Sequence, residues 1–308
     1  MVLKKLSAVM ATLMTGVIGW SSAVLADDRI AKAVDKQMGF QEPATEIMRR
    51  ITELHDWLLI MCVVVTLFVF ALLGWCIIRY NHKRNPTPAK FSHNTLIEII
   101  WTAVPIFILV AIAIPSFRLL YYQDVIPEAD MSINITGHQW YWSYEYPDYD
   151  GISFDANMMP AAWFENNLDQ ATQDDKTAAI QDIQRMLDMP EMPEVYRLLE
   201  ADTRVVVPVN KTVKIVVTAD DVIHAWSIPA FGVKVDTVPG RTNEKWFHAE
   251  ETGTYYGQCS ELCGIYHAFM PIVVEVVTEE EFEAWLGRAK AVYASNDNGK
   301  FSRMAKAN

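Results

Sequence analysis

Two thiols, an imidazole and a thioether stand within twelve residues near the C-terminal end of the chain, in Cys259-Ser-Glu-Leu-Cys263-Gly-Ile-Tyr-His267-Ala-Phe-Met270. A second imidazole, His224, lies upstream between strand-like runs. Thiolate, imidazole and thioether form a soft donor set that suits copper better than magnesium or calcium. Other chemistries fit parts of it. A disulfide is the default for a close cysteine pair outside the cytosol, but it leaves His224, His267 and Met270 unused. Tetrahedral zinc takes two Cys and two His and has no need of Met270. A Rieske cluster expects a His close to each Cys, and His224 has no Cys beside it. A c-type haem needs Cys-x-x-Cys-His, which is absent. Mononuclear blue copper wants one Cys. The second thiolate allows two sulfurs to bridge two coppers, each keeping one His, with Met270 and a backbone carbonyl, that of Glu261, as weak outer ligands. One electron shared over two metals spreads its charge, which suits electron transfer. Spacing alone leaves zinc and a disulfide open.

The rest of the chain must hold these groups and place them. Lys4 and Lys5, an apolar run over 6–20 and small residues up to Ala26 predict a secretion signal over 1–26. A polar lead-in covers 27–56. The segment 57–78 carries no charge, and about 22 residues at about 1.5 Å each give about 33 Å, a full bilayer core. Cys62 and Cys76 fall within it as packing residues. A second apolar stretch returns over 95–121, so a two-helix hairpin spans 57–121, with helices at about 57–80 and 95–121. Arg79, His82, Lys83, Arg84 and Lys90 between them favour the cytoplasmic side. Both ends of the mature chain are therefore expected outside. From 130 to 278 the pattern becomes short strands, with alternation at 132–136 and 212–217 and Val-rich runs at 204–209 and 272–277. A polar excursion at about 160–200 interrupts them, with Ile180, Ile183 and Leu187 at helical spacing. An amphipathic helix and a tail close the chain over 279–308. The formal charge of −12 argues against nucleic acid and favours a basic partner.

The metal-ligand loop, with Tyr255-Tyr256-Gly257-Gln258 before it, resembles the CuA loop of the cytochrome c oxidase subunit II family. The resemblance extends through Gly137-His-Gln-Trp-Tyr-Trp-Ser-Tyr-Glu145, Val222-Ile-His224-Ala-Trp-Ser-Ile-Pro229, Val238-Pro-Gly-Arg241 and Glu98-Ile-Ile-Trp-Thr-Ala-Val-Pro105, in the expected order. It implies an α+β membrane protein of the bacterial inner membrane: an N-terminal two-helix transmembrane hairpin followed by a periplasmic cupredoxin-like Greek-key β-barrel. It implies a dinuclear copper centre, CuA, on His224, Cys259, Glu261 (by its carbonyl), Cys263, His267 and Met270.

The same resemblance implies an electron-accepting subunit of a respiratory terminal oxidase. Electrons from cytochrome c would arrive at Trp140 and pass to haem in subunit I, which holds CuB and reduces oxygen to water with proton pumping; subunit III and membrane lipid would be further partners. It sends the Glu261 carboxylate to a magnesium ion shared with subunit I, and places a proton-channel entrance at Glu98. Thr95-Leu-Ile-Glu98 also reads as a capping box, a sufficient structural role. Glu145, Asp155 and Asp221 are the expected docking acids for a basic cytochrome. A copper-free quinol-oxidase subunit, a nitrous-oxide reductase and a copper chaperone are the alternatives. All six ligand positions are filled, against the first; the membrane hairpin and Glu98 speak against the second, and the chain length against the third.

Overall fold

The structure, a computed structural model, describes residues 29–87, 89–159, 196 and 198–293. The expected signal at 1–26, the helical spacing of Ile180, Ile183 and Leu187, and the tail beyond 293 lie outside the described residues.

Two long helices come first, α1 (Glu46–Arg79) and α2 (Thr95–Asp124), of 34 and 30 residues; both are long and apolar enough to cross a membrane. Their apolar side chains are exposed in the isolated chain, as in Phe68, Phe70 and Phe107. Helix α1 begins eleven residues before the apolar run, inside the stretch read as lead-in, and the reason is local packing. Thr45 caps it, accepting from the Met48 N–H at 3.1 Å while its own hydroxyl donates to the Phe231 carbonyl at 2.8 Å. Ile47 and Met48 are buried. Gly232, at φ +67°, lets the chain pass Met48; a Cβ there would lie 2.8 Å from Ile51 Cδ1. Arg49 donates to both Glu46 and Glu250, at 2.7 and 2.6 Å. The first turns of α1 are thus part of the β-domain.

Helix α2 is capped by Asn94, not Thr95. Asn94 accepts from the Ile97 N–H at 3.2 Å, and Glu98 accepts from the Asn94 N–H at 3.3 Å. The reciprocal pattern expected of a capping box is present, shifted by one residue, because the Asn carboxamide is at least as good a cap as a Thr hydroxyl.

The β-domain is a two-sheet sandwich with a cupredoxin-like layout. Its strands are β1 (Arg29–Ala31), β2 (Met131–His138), β3 (Tyr141–Tyr146), β4 (Ile152–Ala156), β5 (Val205–Pro208), β6 (Thr212–Ala219), β7 (His224–Ile228), β8 (Val233–Thr237), β9 (Asn243–His248), β10 (Gly253–Gln258) and β11 (Pro271–Val277). One sheet runs β4-β3-β2-β6-β9, the other β1-β10-β11-β5, and β7-β8 form a hairpin. Period-two burial aims Ile133, Ile135, Trp142, Tyr144, Tyr146, Val213 and Ile215 inward. Tyr255, Val274 and Val276 face them from the second sheet, and helix α3 (Glu279–Tyr293) closes the core with Phe282, Trp285 and Leu286.

Among these apolar residues lies a fully buried ionic group that the Val-rich run at 204–209 gave no sign of. Arg204 pairs with Glu200 at 3.0 Å and Glu275 at 2.8 Å. Tyr256 donates to Glu200 at 2.9 Å and Thr254 to Glu275 at 3.0 Å. Each buried carboxylate therefore has partners, as burial requires.

Candidate metal centre

Strand β10 ends at Gln258 and delivers Cys259 directly into the loop that returns at β11. The Cys259 N–H donates to the Met270 carbonyl at 3.0 Å, closing that loop, and the Ser260 N–H donates to the Ala225 carbonyl at 2.9 Å, fastening it to β7. The β7 backbone crosses β10 at Gly257 so closely that a Cβ there would fall 2.0 Å from the Ser227 carbonyl oxygen. Only glycine lets β7 approach, and that approach brings His224 to Cys259. Gly137 does the same from β2, since a Cβ would lie 2.9 Å from His224 Cδ2.

The two thiols are reduced and buried, with sulfurs 3.8 Å apart, well beyond a disulfide bond. Cys259 Sγ lies 3.9 Å from His224 Nδ1, and Cys263 Sγ lies 3.5 Å from His267 Nδ1. Each sulfur thus has its own imidazole. The Glu261 carbonyl accepts from the Cys259 thiol at 3.3 Å, so that carbonyl turns into the site. Met270 is buried and His267 half-buried. Among the described residues, His224, Cys259 and Cys263 have their ligand atoms within 4.8 Å of one another.

Burial pushes both thiols up. For Cys259 the His224 imidazole and the backbone of Glu261 and Ala225 outweigh burial and bring it down to about 7. Cys263, buried and facing the charge of that first thiolate, is pushed up to about 12. A metal cation bound by these sulfurs would displace their protons. Two adjacent sulfurs, two Nδ1 atoms, a buried thioether and an inward carbonyl fit a pair of soft metal ions. Two Cys and two His would also satisfy tetrahedral zinc, which has no use for the other two groups.

The surroundings place the other expected residues and add one that sequence reading gave no role, Gln139. Asp221 accepts from His224 Nε2 at 2.8 Å, the Val222 N–H at 2.6 Å and the Gln139 N–H at 2.7 Å. Expected as a docking acid, it is hydrogen-bonded in the structure to His224, a candidate ligand. Burial works to raise the Asp221 carboxyl, but these hydrogen bonds hold it below the usual carboxylate range. Gln139 and Trp140 both donate side-chain N–H groups to the Cys263 carbonyl, at 2.8 and 3.2 Å. Trp140 stands half-buried against Gly264 and meets Tyr266 edge-on at 4.8 Å. Glu145 on β3 accepts from Asn134 at 2.9 Å, and Asp155 on β4 accepts from Ser143 at 2.6 Å. Both point outward from the same sheet. Glu98 lies at the far end of α2, about 39 Å from Asp124 at about 1.5 Å per residue, and belongs to no part of this site.

A family model described as the periplasmic domain of cytochrome C oxidase subunit II matches residues 131–187 and 173–277, and one for the transmembrane domain of that subunit matches 33–119. The chain belongs to the cytochrome c oxidase subunit II family. Membership makes it a subunit of an oxidoreductase. It is 47% identical over 266 residues to the probable cytochrome c oxidase subunit 2 of Rickettsia bellii, covering 86% of this chain and 89% of that one. It is 46% identical over 254 residues to cytochrome c oxidase subunit 2 of Cereibacter sphaeroides, covering 82% and 80%. The crystal structure of the periplasmic domain of subunit II of cytochrome oxidase of Bradyrhizobium japonicum is 46% identical, spans 55% of this chain and 99% of that one, and superposes with a TM-score of 0.43.

Proposed function

We propose that this subunit II chain holds a dinuclear copper centre on His224, Cys259, the Glu261 carbonyl, Cys263, His267 and Met270, and that it accepts electrons from cytochrome c for the haem of subunit I, where oxygen is reduced and protons are pumped. One observation carries the reading: two reduced, buried sulfurs 3.8 Å apart, each with a separate imidazole Nδ1. When bound, the copper pair supplies a site that takes up and releases single electrons with little rearrangement.

The chain's own residues do the rest. Asp221 accepts the Nε2 proton of His224 and so leaves Nδ1 to the metal side. Burial of Cys259, Cys263 and Met270 excludes water from the sulfurs. Trp140, bonded to the Cys263 carbonyl, is the electron-accepting side chain at the surface. Around it Leu262, Ile265, Tyr266 and Ile223 expose apolar surface, at 77, 80, 43 and 44%. Glu145 and Asp155 lie outward on the neighbouring strands. An apolar centre with an acidic margin suits a basic protein that must dock briefly. The Glu261 carboxylate, half-buried on this loop, serves a magnesium ion shared with subunit I, and Glu98 serves as the cytoplasmic proton-channel entrance. The basic 79–90 loop faces the cytoplasm and the β-domain the periplasm.

The test is electron paramagnetic resonance of the purified oxidase containing this chain. An unpaired electron shared equally over two copper nuclei is expected. A single-copper pattern, or zinc in its place, would refute the reading.

A further inference from the structure

Where the two long helices meet the β-domain there is a cavity of about 200 Å³ that is not part of the metal loop. Thr45, Glu46 and Ile47 at the start of α1, Tyr122 near the end of α2, and Trp246 and His248 on β9 line it. Tyr122 meets Trp246 edge-on at 5.7 Å, so one wall is aromatic. Of the polar groups in the lining, Thr45, Glu46 and His248 have protein partners. Trp246 does not. It is 7% exposed, and its buried indole N–H has no acceptor among the described residues. An indole nitrogen only donates, and leaving it buried and unpaired is costly.

Cations stand beside this cavity. Arg50 lies over the Tyr122 ring at 3.9 Å and donates from Nε to Glu46 at 2.8 Å. Its outer N–H groups are left to a second acceptor. The Glu46 carboxylate is also held by Arg49 at 2.7 Å. Arg118 is exposed, has no carboxylate partner among the described residues, and stands one turn before Tyr122 on the same face of α2. The height along α2 is that of lipid head groups. The apolar stretch ends at Leu120, and Tyr122 stands two residues, about 3 Å, beyond it. Head groups occupy about 5–8 Å on each side of the hydrocarbon core. Trp, Tyr and outward-reaching Arg side chains favour that layer.

We propose that this cavity receives the phosphate and glycerol-ester region of a membrane phospholipid. Arg118 and Arg50 meet the phosphate oxygens, the Trp246 N–H donates to an oxygen of the lipid, and Ile47 and Tyr122 face its glycerol carbons. Phosphodiester and ester oxygens accept and do not donate, which is the partner the indole lacks. The bound lipid ties the hairpin to the β-domain at the point where α1 passes from one to the other. The inference rests on α1 and α2 crossing the membrane and is independent of the copper centre.

The experiment uses the purified oxidase complex, delipidated by detergent exchange, with water-soluble dihexanoyl phosphatidylglycerol as the probe. Amide exchange of segments 44–50 and 244–248 is read by mass spectrometry, with parental subunit content as the check on folding. Protection of both segments that saturates with lipid is expected. Trp246→Phe keeps an aromatic wall and removes the N–H, and should raise the half-saturating concentration about tenfold. Arg118→Gln, at an exposed position, should raise it about threefold. Added salt should weaken binding more in the parent than in Arg118→Gln. No protection in the parent, or equal half-saturation in the parent and both variants, would overturn the proposal. Equal protection by inorganic phosphate would overturn it in favour of a free-anion pocket. Segments already protected in the delipidated parent and in both variants alike would overturn it in favour of a neighbouring subunit.

Discussion

His224 donates from Nε2 to Asp221 at 2.8 Å, and the same carboxylate is held by the N–H groups of Gln139 and Val222. A carboxylate so held fixes both the tautomer and the plane of the ring, and outer-shell partners of this kind change metal affinity by about 10–100-fold. Asp221→Asn keeps an acceptor oxygen but loses the charge and risks the reverse amide orientation. Copper affinity should fall at least about tenfold, read by chelator competition against the copper absorption. A variant that keeps its copper but shows a changed salt dependence with cytochrome c would return Asp221 to the docking acids.

Gly257→Ala should be among the most damaging substitutions in the β-domain. Its Cβ would stand 2.0 Å from a backbone oxygen, which has no rotamer to escape into. Relief requires β7 to move off β10, carrying His224 away from Cys259. We expect at least about 3 kcal/mol of destabilisation together with lost copper, measured as the denaturant midpoint and the metal content. Near-parental values for both would mean that β7 can shift without disturbing the site.

Arg204 is the single cation between two buried carboxylates. Arg204→Met strands Glu200 and Glu275 without a counter-charge and should cost about 3–5 kcal/mol. Removing all three charges together, as Arg204→Met with Glu200→Leu and Glu275→Leu, should recover most of that loss. Denaturant unfolding of the three forms decides it; a triple variant no better than the single one would mean the cluster's hydrogen bonds outweigh its charge balance.

The candidate donor set could be read because five chemically distinctive side chains, four of them within one loop, make it up; the Glu261 carbonyl came with the family resemblance. The two membrane helices were legible because bilayer thickness sets their length. What stayed hidden depends on contacts between distant segments. Nothing near Thr45 announces that its hydroxyl reaches Phe231, so the start of α1 read as lead-in. Asp221 is three residues from His224 and could be placed close by spacing, but only the β6–β7 turn decides that it faces the ring rather than solvent. Arg204 sits in a Val-rich run whose partners are 4 and 71 residues away. Ser143 and Asp155 become neighbours through strand register, which a single sequence does not specify.

Arg49 holds the Glu250 carboxyl below the usual carboxylate range by a direct hydrogen bond. A depressed carboxyl stabilises the folded arrangement above its unfolded pKa, near 4.3, and that contribution is lost as pH falls through the lower folded value. The junction between α1 and the β-domain should therefore loosen at acid pH. The group is partly exposed, so the effect is at most about 1 kcal/mol. Hydrogen exchange of the Ala44 and Glu250 amides, which bond across this junction, should show it once intrinsic rates are corrected. Arg49→Gln should remove the pH dependence; its persistence would assign the effect to another group.

Glu98 has a structural role that can be separated from a proton-carrying one. Its carboxylate accepts from the Asn94 N–H, and Asn94 caps α2 independently by accepting from Ile97. Glu98→Gln retains an acceptor oxygen at the same reach, so the start of α2 should stay intact, with unchanged helix content and thermal stability. What the amide cannot do is gain and lose a proton. If Glu98 is the channel entrance, proton uptake from the cytoplasmic side and steady-state turnover should slow severalfold, while electron transfer from cytochrome c to the copper pair keeps its rate. The salt dependence of KM should also stay parental, because α2 carries Glu98 a full membrane thickness from the docking face. Unchanged proton uptake would reduce Glu98 to a second cap beside Asn94.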